Sequence, residues 1–482
     1  MKKQERITRR TSLKTIGLAG ASALLGSQIV DGKEQSLLAP DQTILSDIRK
    51  KIFKKVFETP FIDTHEHLIE EKDRLAGVVV RGFKANDWTR VFTSYLCSDL
   101  LTAGMPQSIY DKFFSPDVDP ISKWALLEPY WPAVKNTGYA QAVGIAIKEL
   151  YGADELCAKT VAKVQEGYKK TVQPGFYKHI LCDLANIESC QVNCVATPFS
   201  ESDQPTLLMQ DIGIVGMHSG PNFVQYSKPA GIEVKSLSDW HRVIDWWFDK
   251  YGKYAVAAKS QGAYTRDIDY ERVQAERVEM PFERQLSGGS SSPEDAKAIE
   301  DHLFWYAVDR ATKMNLPVKI HTGYYNKQNY MPLGRLAKNP GSATDLCRQS
   351  PNTRFVFFHI CYPYYEPMIA LAKHYSNAYI DMCWSWIVNP VAAKDFLKKY
   401  LVSAPANKIL TFGGDYIPIE PVLGHAVMAR RGITLALCEL VEEGWLTMDG
   451  AMELIDPIMH KNARRIYNLE EKTAILKNVK WS

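Results

Sequence analysis

His65 and His67 flank Glu66 in the run Asp63-Thr64-His65-Glu66-His67, which follows the apolar pair Phe61-Ile62. Side chains two apart on an extended strand point the same way, so both imidazoles can reach a single divalent ion. On its own, His-x-His is a common pattern, and two solvated or core histidines are its ordinary reading. The downstream sequence changes that balance, because single chemically able residues end further apolar runs. Lys259 follows Tyr254 to Ala258, His321 follows Pro317 to Ile320, His359 follows Arg354 to Phe358, and Asp415 follows Lys408 to Phe412 across two glycines. Imidazoles and a carboxylate brought together at one place would hold a divalent ion and lower the pKa of a coordinated water.

Eight short apolar runs can serve as strands to position these residues: Phe61 to Asp63, Gln191 to Ala196, Ile212 to Met217, Tyr254 to Ala258, Pro317 to Ile320, Arg354 to Phe358, Ala378 to Asp381 and Lys408 to Phe412. Helical patterns separate the later runs. Ser292 can cap a helix that Pro293 begins, and Ile299, Leu303, Tyr306, Ala307, Ala311 and Met314 recur at helical spacing along one face. Another charged amphipathic helix is expected from Asp41 to Val56. Strands alternating with helices predict an α/β fold, a (β/α)8 TIM barrel over residues 41–482, in which chemistry gathers at the C-terminal ends of the strands. Residues 68–188 are too many for an ordinary strand-to-helix connection, so a mainly helical insertion after strand 1 is expected over the barrel mouth. The stretches Gly77 to Asp87 and Tyr95 to Gly104 then fall near the substrate.

With His-x-His on strand 1, histidines on strands 5 and 6 and an aspartate on strand 8, the chain resembles the amidohydrolase superfamily. It is most similar to the amidohydrolase-related branch that includes nodulin-like domains fused to glutamine-synthetase-like domains. The resemblance runs through Lys259-Ser260-Gln261-Gly262-Ala263-Tyr264-Thr265-Arg266, His321-Thr322-Gly323-Tyr324 and His359-Ile360-Cys361-Tyr362-Pro363-Tyr364, and on to Asn462-Ala463-Arg464-Arg465-Ile466-Tyr467. It implies a metal-dependent hydrolase with one or two divalent ions, zinc being the expected one, held by His65, His67, Asp415 and His321. Asp415 would accept a proton from the attacking water and return it to the leaving group. His359 would polarise the substrate carbonyl or ligate a second ion. Lys259 would bridge two ions if carboxylated, or, if free, bind a substrate carboxylate or act as an acid.

Arg266 is a candidate carboxylate or phosphate clamp through its planar fork, with an ion pair as the competing reading. His218, after strand 3, and Trp384, after strand 7, are candidate substrate contacts, and ordinary core packing is the alternative for the tryptophan. Asp381 can orient a ligand histidine. His302, His374 and His425 lie in helical patterns and read as structural.

The 482 residues are 46% hydrophobic and 23% charged, with a net charge of +3 and no basic stripe. A small molecule, with carboxylate-bearing compounds among the candidates, is therefore the expected partner, and no nucleic acid. Thr8-Arg9-Arg10-Thr11-Ser12-Leu13-Lys14 followed by the Gly/Ala-rich run Ile16 to Leu25 resembles a twin-arginine export signal within residues 1–39. That implies contact with the twin-arginine export machinery and a periplasmic or extracytoplasmic location. The apolar run is too short for a stable membrane span. Nine cysteines without close-pair spacing read as buried thiols rather than a disulfide framework. The expected reaction is hydrolysis of an amide, lactone or related C–N or C–O bond of a small polar compound. Isomerisation of a uronate, non-oxidative decarboxylation of an aromatic acid, and a catalytically inactive binding or regulatory barrel are the alternatives, and a homo-oligomer is a further possibility.

Overall fold

The computed structural model describes residues 47–79, 82–220, 224–326 and 329–481. Eight strand positions form a closed parallel barrel: β1 (Phe61–Glu66), β2 (Ile187–Val192), β3 (Leu208–Gln210, resuming after Asp211 at Ile212–Gly213), β4 (Ala258–Ser260), β5 (Val318–Ile320), β6 (Phe355–Phe357), β7 (Ala378–Asp381) and β8 (Ile409–Leu410). The first half of β3 pairs with β2 and the second half with β4. Across that break the Asp211 amide donates to the Val192 carbonyl (2.9 Å) and the Ile212 amide to the Ala257 carbonyl (2.9 Å). The ring closes between the ends of β8 and β1. The Thr64 amide donates to the Phe412 carbonyl (3.1 Å), the Asp415 amide to the His65 carbonyl (2.8 Å) and the His67 amide to the Tyr416 carbonyl (2.9 Å).

Strands buried on both faces should read as nearly continuous apolar runs, as β5 to β8 do. Three boundaries differ from the sequence expectation. β2 begins four residues earlier than Gln191 and ends at Val192, so Val195, in the expected run, lies past the strand and projects into solvent. β3 likewise begins before Ile212, and the chain turns at Ile214 into the short helix Val215–His218, so Met217 lies within a helix rather than at the end of a strand. Lys259 lies inside β4, paired with Lys319 of β5, rather than just beyond the strand end.

The barrel floor holds a buried ion pair. Lys319 Nζ donates to both carboxylate oxygens of Asp211 (2.9 and 2.8 Å) and to the Thr64 carbonyl (2.8 Å), with both charged residues fully buried. Asp211 fills the break in β3, so the same contact ties β1, β3 and β5 together. Around the barrel, the helix Pro293–Lys313 starts where expected: Ser292 Oγ accepts from the Asp295 amide (3.1 Å), and Pro293 takes the first helical position. Its buried face runs through Ile299, Leu303, Ala307 and Ala311, joined by Phe304 and Val308, while Tyr306 and Met314 are only half-buried. The amino-terminal helix runs Asp47–Glu58, and its expected start at Asp41 lies outside the described residues.

Between β1 and β2 the chain builds short helices and two longer ones, Gly138–Tyr151 and Val161–Thr171. Glycines let this segment press on the barrel's last long helix, Glu420–Glu442. A Cβ at Gly424 would stand 1.9 Å from the Ala142 carbonyl oxygen, and, against the neighbouring short helix Ser385–Val388, one at Gly138 would stand 2.2 Å from that of Ile387. A buried pair fastens the same contact, with Arg74 reaching Glu420 (3.1 Å) and the Tyr168 hydroxyl (2.7 Å). This docking carries Tyr95 over the barrel mouth. All nine cysteines are free thiols, six of them buried. Among the described residues no helix is long and apolar enough to cross a membrane.

Candidate metal centre

Five residues chosen from strand ends converge in one buried cluster. Asp415 Oδ1 lies 3.4 Å from His65 Nε2 and 3.3 Å from His67 Nε2, and Oδ2 lies 3.8 Å from His359 Nε2. His321 Nδ1 is 3.1 Å from His359 Nε2. All five side chains are buried, with relative exposures from 1% to 7%.

Second partners orient the rings. His67 Nδ1 donates to the Asn193 carbonyl (2.7 Å), His359 Nδ1 to the Cys383 carbonyl (2.9 Å) and His321 Nε2 to the Tyr324 carbonyl (3.0 Å). A carbonyl oxygen can only accept, so in each case the proton sits on the outer nitrogen and the inner nitrogen presents a lone pair. Two such lone pairs, His321 Nδ1 and His359 Nε2, therefore face each other at 3.1 Å, an arrangement that a shared cation would reconcile. Protonation is opposed, since burial pushes both imidazoles well below their usual pKa, reinforced for His321 by His359 and for His359 by Lys259. His65 is depressed in the same way, by burial first and then by Lys259. Neutral imidazoles aimed inward around a carboxylate make a donor set that fits a divalent ion, and His65, His67 and Asp415 could bind one.

Lys259 Nζ is fully enclosed, 3.9 Å from the Phe358 ring centroid, without a hydrogen-bond partner among the described residues. Burial lowers its pKa to about 8 against the pull of Asp415. Near neutrality a fraction of it is therefore the free amine, the form that carboxylation requires.

The backbone around the centre is unusual. Among the described non-glycine residues with positive φ, four are asparagines, which tolerate that region. The other six are Tyr95, His359, Ile360, Cys361, Trp384 and Asp415. Their clustering at the site matches the way folds concentrate strain where function fixes the geometry. Asp415 follows two glycines that the packing demands: a Cβ at Gly414 would meet Glu66 Oε1 at 1.9 Å.

Trp384 forms part of the wall, its ring 5.2 Å from His359, 4.7 Å from Tyr95 and 5.5 Å from Tyr324. Tyr264 stands 4.7 Å from His321 on the other side. Two other expected substrate contacts are engaged elsewhere. Arg266 is held by Asp269 (3.0 Å), Glu300 (2.9 Å) and Asp301 (2.6 Å) and stacks over Tyr270, so its fork is occupied by carboxylates of the protein itself. His218 is buried against Tyr270 and Phe304 with Nε2 3.0 Å from Ser260 Oγ, and burial lowers its pKa to about 3, which makes it a packing residue behind β4. Asp381 receives the Cys383 amide (2.8 Å) and so supports the carbonyl that orients His359. Of the helical histidines, His302 faces His241, Nε2 to Nε2, at 2.9 Å, and His425 is wholly buried.

Two residues at the centre, Gln261 and Cys383, have no role in the sequence reading, and a third, Tyr95, enters it only as the start of a stretch near the substrate. Gln261 Nε2 stands 3.1 Å from His67 Nε2, the Tyr95 hydroxyl donates to the Asp415 carbonyl, and Cys383 lies beside His359 and Asp415. Gln261 follows β4 within two residues of Lys259, a position that could have signalled it. Tyr95 and Cys383 arrive from a loop and from a turn of positive φ, with no periodicity to mark them.

Residues 280–469 match the family model described as Amidohydrolase. Among curated proteins, the chain is 26% identical over 229 residues to protein fluG of Emericella nidulans, covering 45% of this chain and 26% of that protein. It is 22% identical over 244 residues to uronate isomerase of Xanthomonas oryzae pv. oryzae, covering 48% of this chain and 50% of that protein. The matched stretch thus spans half or less of the length of these relatives. Among solved structures, the glucuronate isomerase of Caulobacter crescentus shares the fold with a TM-score of 0.70 at 17% identity, covering 91% of this chain and 97% of that one. The uronate isomerase of Thermotoga maritima does so with 0.69 at 14%, covering 88% and 98%. A protein from Lactobacillus casei, provisionally assigned as a metal-dependent hydrolase, gives 0.63 at 16%, covering 87% and 98%.

Proposed function

We propose that this chain, a member of the amidohydrolase superfamily, is a metal-dependent hydrolase of an amide, lactone or related C–N or C–O bond in a small polar compound. The observation that carries this reading is the Asp415 carboxylate, whose two oxygens face His65 and His67 on one side and His359 on the other. His65, His67 and Asp415, with His321 as a further donor, would hold a divalent ion, zinc being the expected one, which would supply a water of lowered pKa.

Asp415 would accept a proton from the attacking water and return it to the leaving nitrogen or oxygen. The bond from the Asp415 amide to the His65 carbonyl and the hydroxyl of Tyr95 hold Asp415 in place for both transfers. His359 keeps its proton on Nδ1 against the Cys383 carbonyl, so its inner nitrogen accepts rather than donates. That favours a role as ligand over polarisation of the substrate carbonyl. Lys259, carboxylated, would bridge two ions; as an ammonium, it would pair with a carboxylate of the substrate. The wall of Trp384, Tyr95, Tyr324 and Tyr264 keeps bulk water from the reacting groups.

A second reading, isomerisation of a uronate, is supported about as well by the relatives. There Asp415 would move a proton between adjacent carbons. Decarboxylation of an aromatic acid is a third. Turnover of a panel of lactones, amides and hexuronates in ¹⁸O-water separates them. Hydrolysis is expected to place one heavy oxygen in the non-exchanging carboxylate of the product, whereas a hexuronate isomer whose carboxylate carries no label supports the isomerase and overturns the hydrolase. Release of carbon dioxide would point to the decarboxylase. On the strength of Arg9, Arg10 and the run Ile16 to Leu25, which lie outside the described residues, the enzyme is proposed to act after twin-arginine export.

A further inference from the structure

The proposed chemistry leaves one thiol beside the reacting groups without a part. Cys383 is completely buried just past β7. One donor atom from each of His359, Cys383 and Asp415 lies within 4.8 Å of the other two, a set that shares only Asp415 with His65 and His67. Asp415 is suited to stand between the two sets, since its Oδ1 faces the first pair and its Oδ2 faces His359.

The packing makes room for the sulfur. A Cβ at Gly413 would come to 2.8 Å from Cys383 Sγ and 2.9 Å from Thr64 Oγ1, so only glycine fits opposite the thiol. The backbone of Cys383 is fixed at both ends: its amide donates to Asp381 Oδ1 (2.8 Å), and its carbonyl accepts from His359 Nδ1 (2.9 Å) and Ser385 Oγ (3.3 Å). The residue that sets the ring of His359 thus also places its own sulfur beside that ring.

We propose that Cys383 is a metal ligand, forming with His359 and Asp415 a second ion position that prefers thiophilic ions such as Zn²⁺ or Co²⁺ to Mg²⁺ or Mn²⁺. This rests on the metal-dependent reading of the centre. On binding, the Sγ–H bond breaks, its proton leaves to buffer, and the freed electron pair forms the bond to the ion with no change of oxidation state.

Metal-free protein titrated with Co²⁺ tests it. Nitrogen and oxygen ligands give only weak visible bands, whereas thiolate ligation adds an intense near-ultraviolet charge-transfer band. The wild type is expected to show both. Cys383→Ser and Cys383→Ala, each with the circular dichroism of the wild type, are expected to lose the charge-transfer band and keep the visible ones. Visible bands without the charge-transfer band in the wild type, or a charge-transfer band that persists in Cys383→Ser, overturn the ligand assignment alone. Absence of both kinds of absorption overturns the metal-dependent reading together with it.

Discussion

Asp415→Asn is expected to lower kcat by about 10²–10⁴-fold, the range associated with loss of a positioned general acid and base. The amide nearly matches the carboxylate in size and leaves the backbone bond to His65 and the contact from Tyr95 in place. What it removes is the negative charge between two sets of imidazoles and the lone pair that accepts the water's proton. Metal affinity should fall as well, and the two effects can be separated by measuring kcat across a titration to saturating metal. If saturating metal restores the wild-type kcat, Asp415 is a ligand only, and the proton-transfer role assigned to it is wrong.

Lys319→Met is expected to destabilise the fold by about 3–5 kcal/mol, because it leaves the Asp211 carboxylate buried without its partner. Burial already raises the pKa of Asp211 above its ordinary value, while Lys319 pulls it back. A carboxyl whose folded pKa exceeds its unfolded one favours the folded state when protonated, and that contribution is lost as the pH rises through the folded pKa. Without Lys319 the upward shift grows, so the penalty should be larger at about pH 8 than at about pH 5. Chemical denaturation at the two pH values measures it. Adding Asp211→Asn to the variant should recover much of the loss, since no buried charge then remains unpaired. Equal penalties at both pH values would show that Lys319 acts by packing and not by charge.

The centre was legible in sequence wherever chemistry follows directly on an apolar run. His321, His359 and Asp415 each close a run that is buried on both faces, and in a barrel such residues must emerge at the same end. Alternation along β5 also foreshadows the floor, since Lys319 and His321 are two apart and point the same way. Other features have no such signature. β2 and β3 were displaced because apolar residues continue past the strand ends, and composition does not reveal where pairing stops. Arg266 has the right fork for a substrate carboxylate, but Asp269, Glu300 and Asp301 claim it only once the helix Pro293–Lys313 is packed. The positive φ angles of Trp384 and Asp415, and the arrival of Tyr95 from the insertion, depend on tertiary contacts that no local pattern encodes.

The central claim is that His65, His67 and Asp415 hold an ion. Elemental analysis of protein purified without chelator, wild type beside His65→Ala/His67→Ala, addresses it most directly. The wild type is expected to carry about one or two divalent ions per chain, and the folded double variant to lose the ion held by the missing imidazoles. A wild-type protein that is fully folded and metal-free, or a double variant with undiminished metal, would contradict the account.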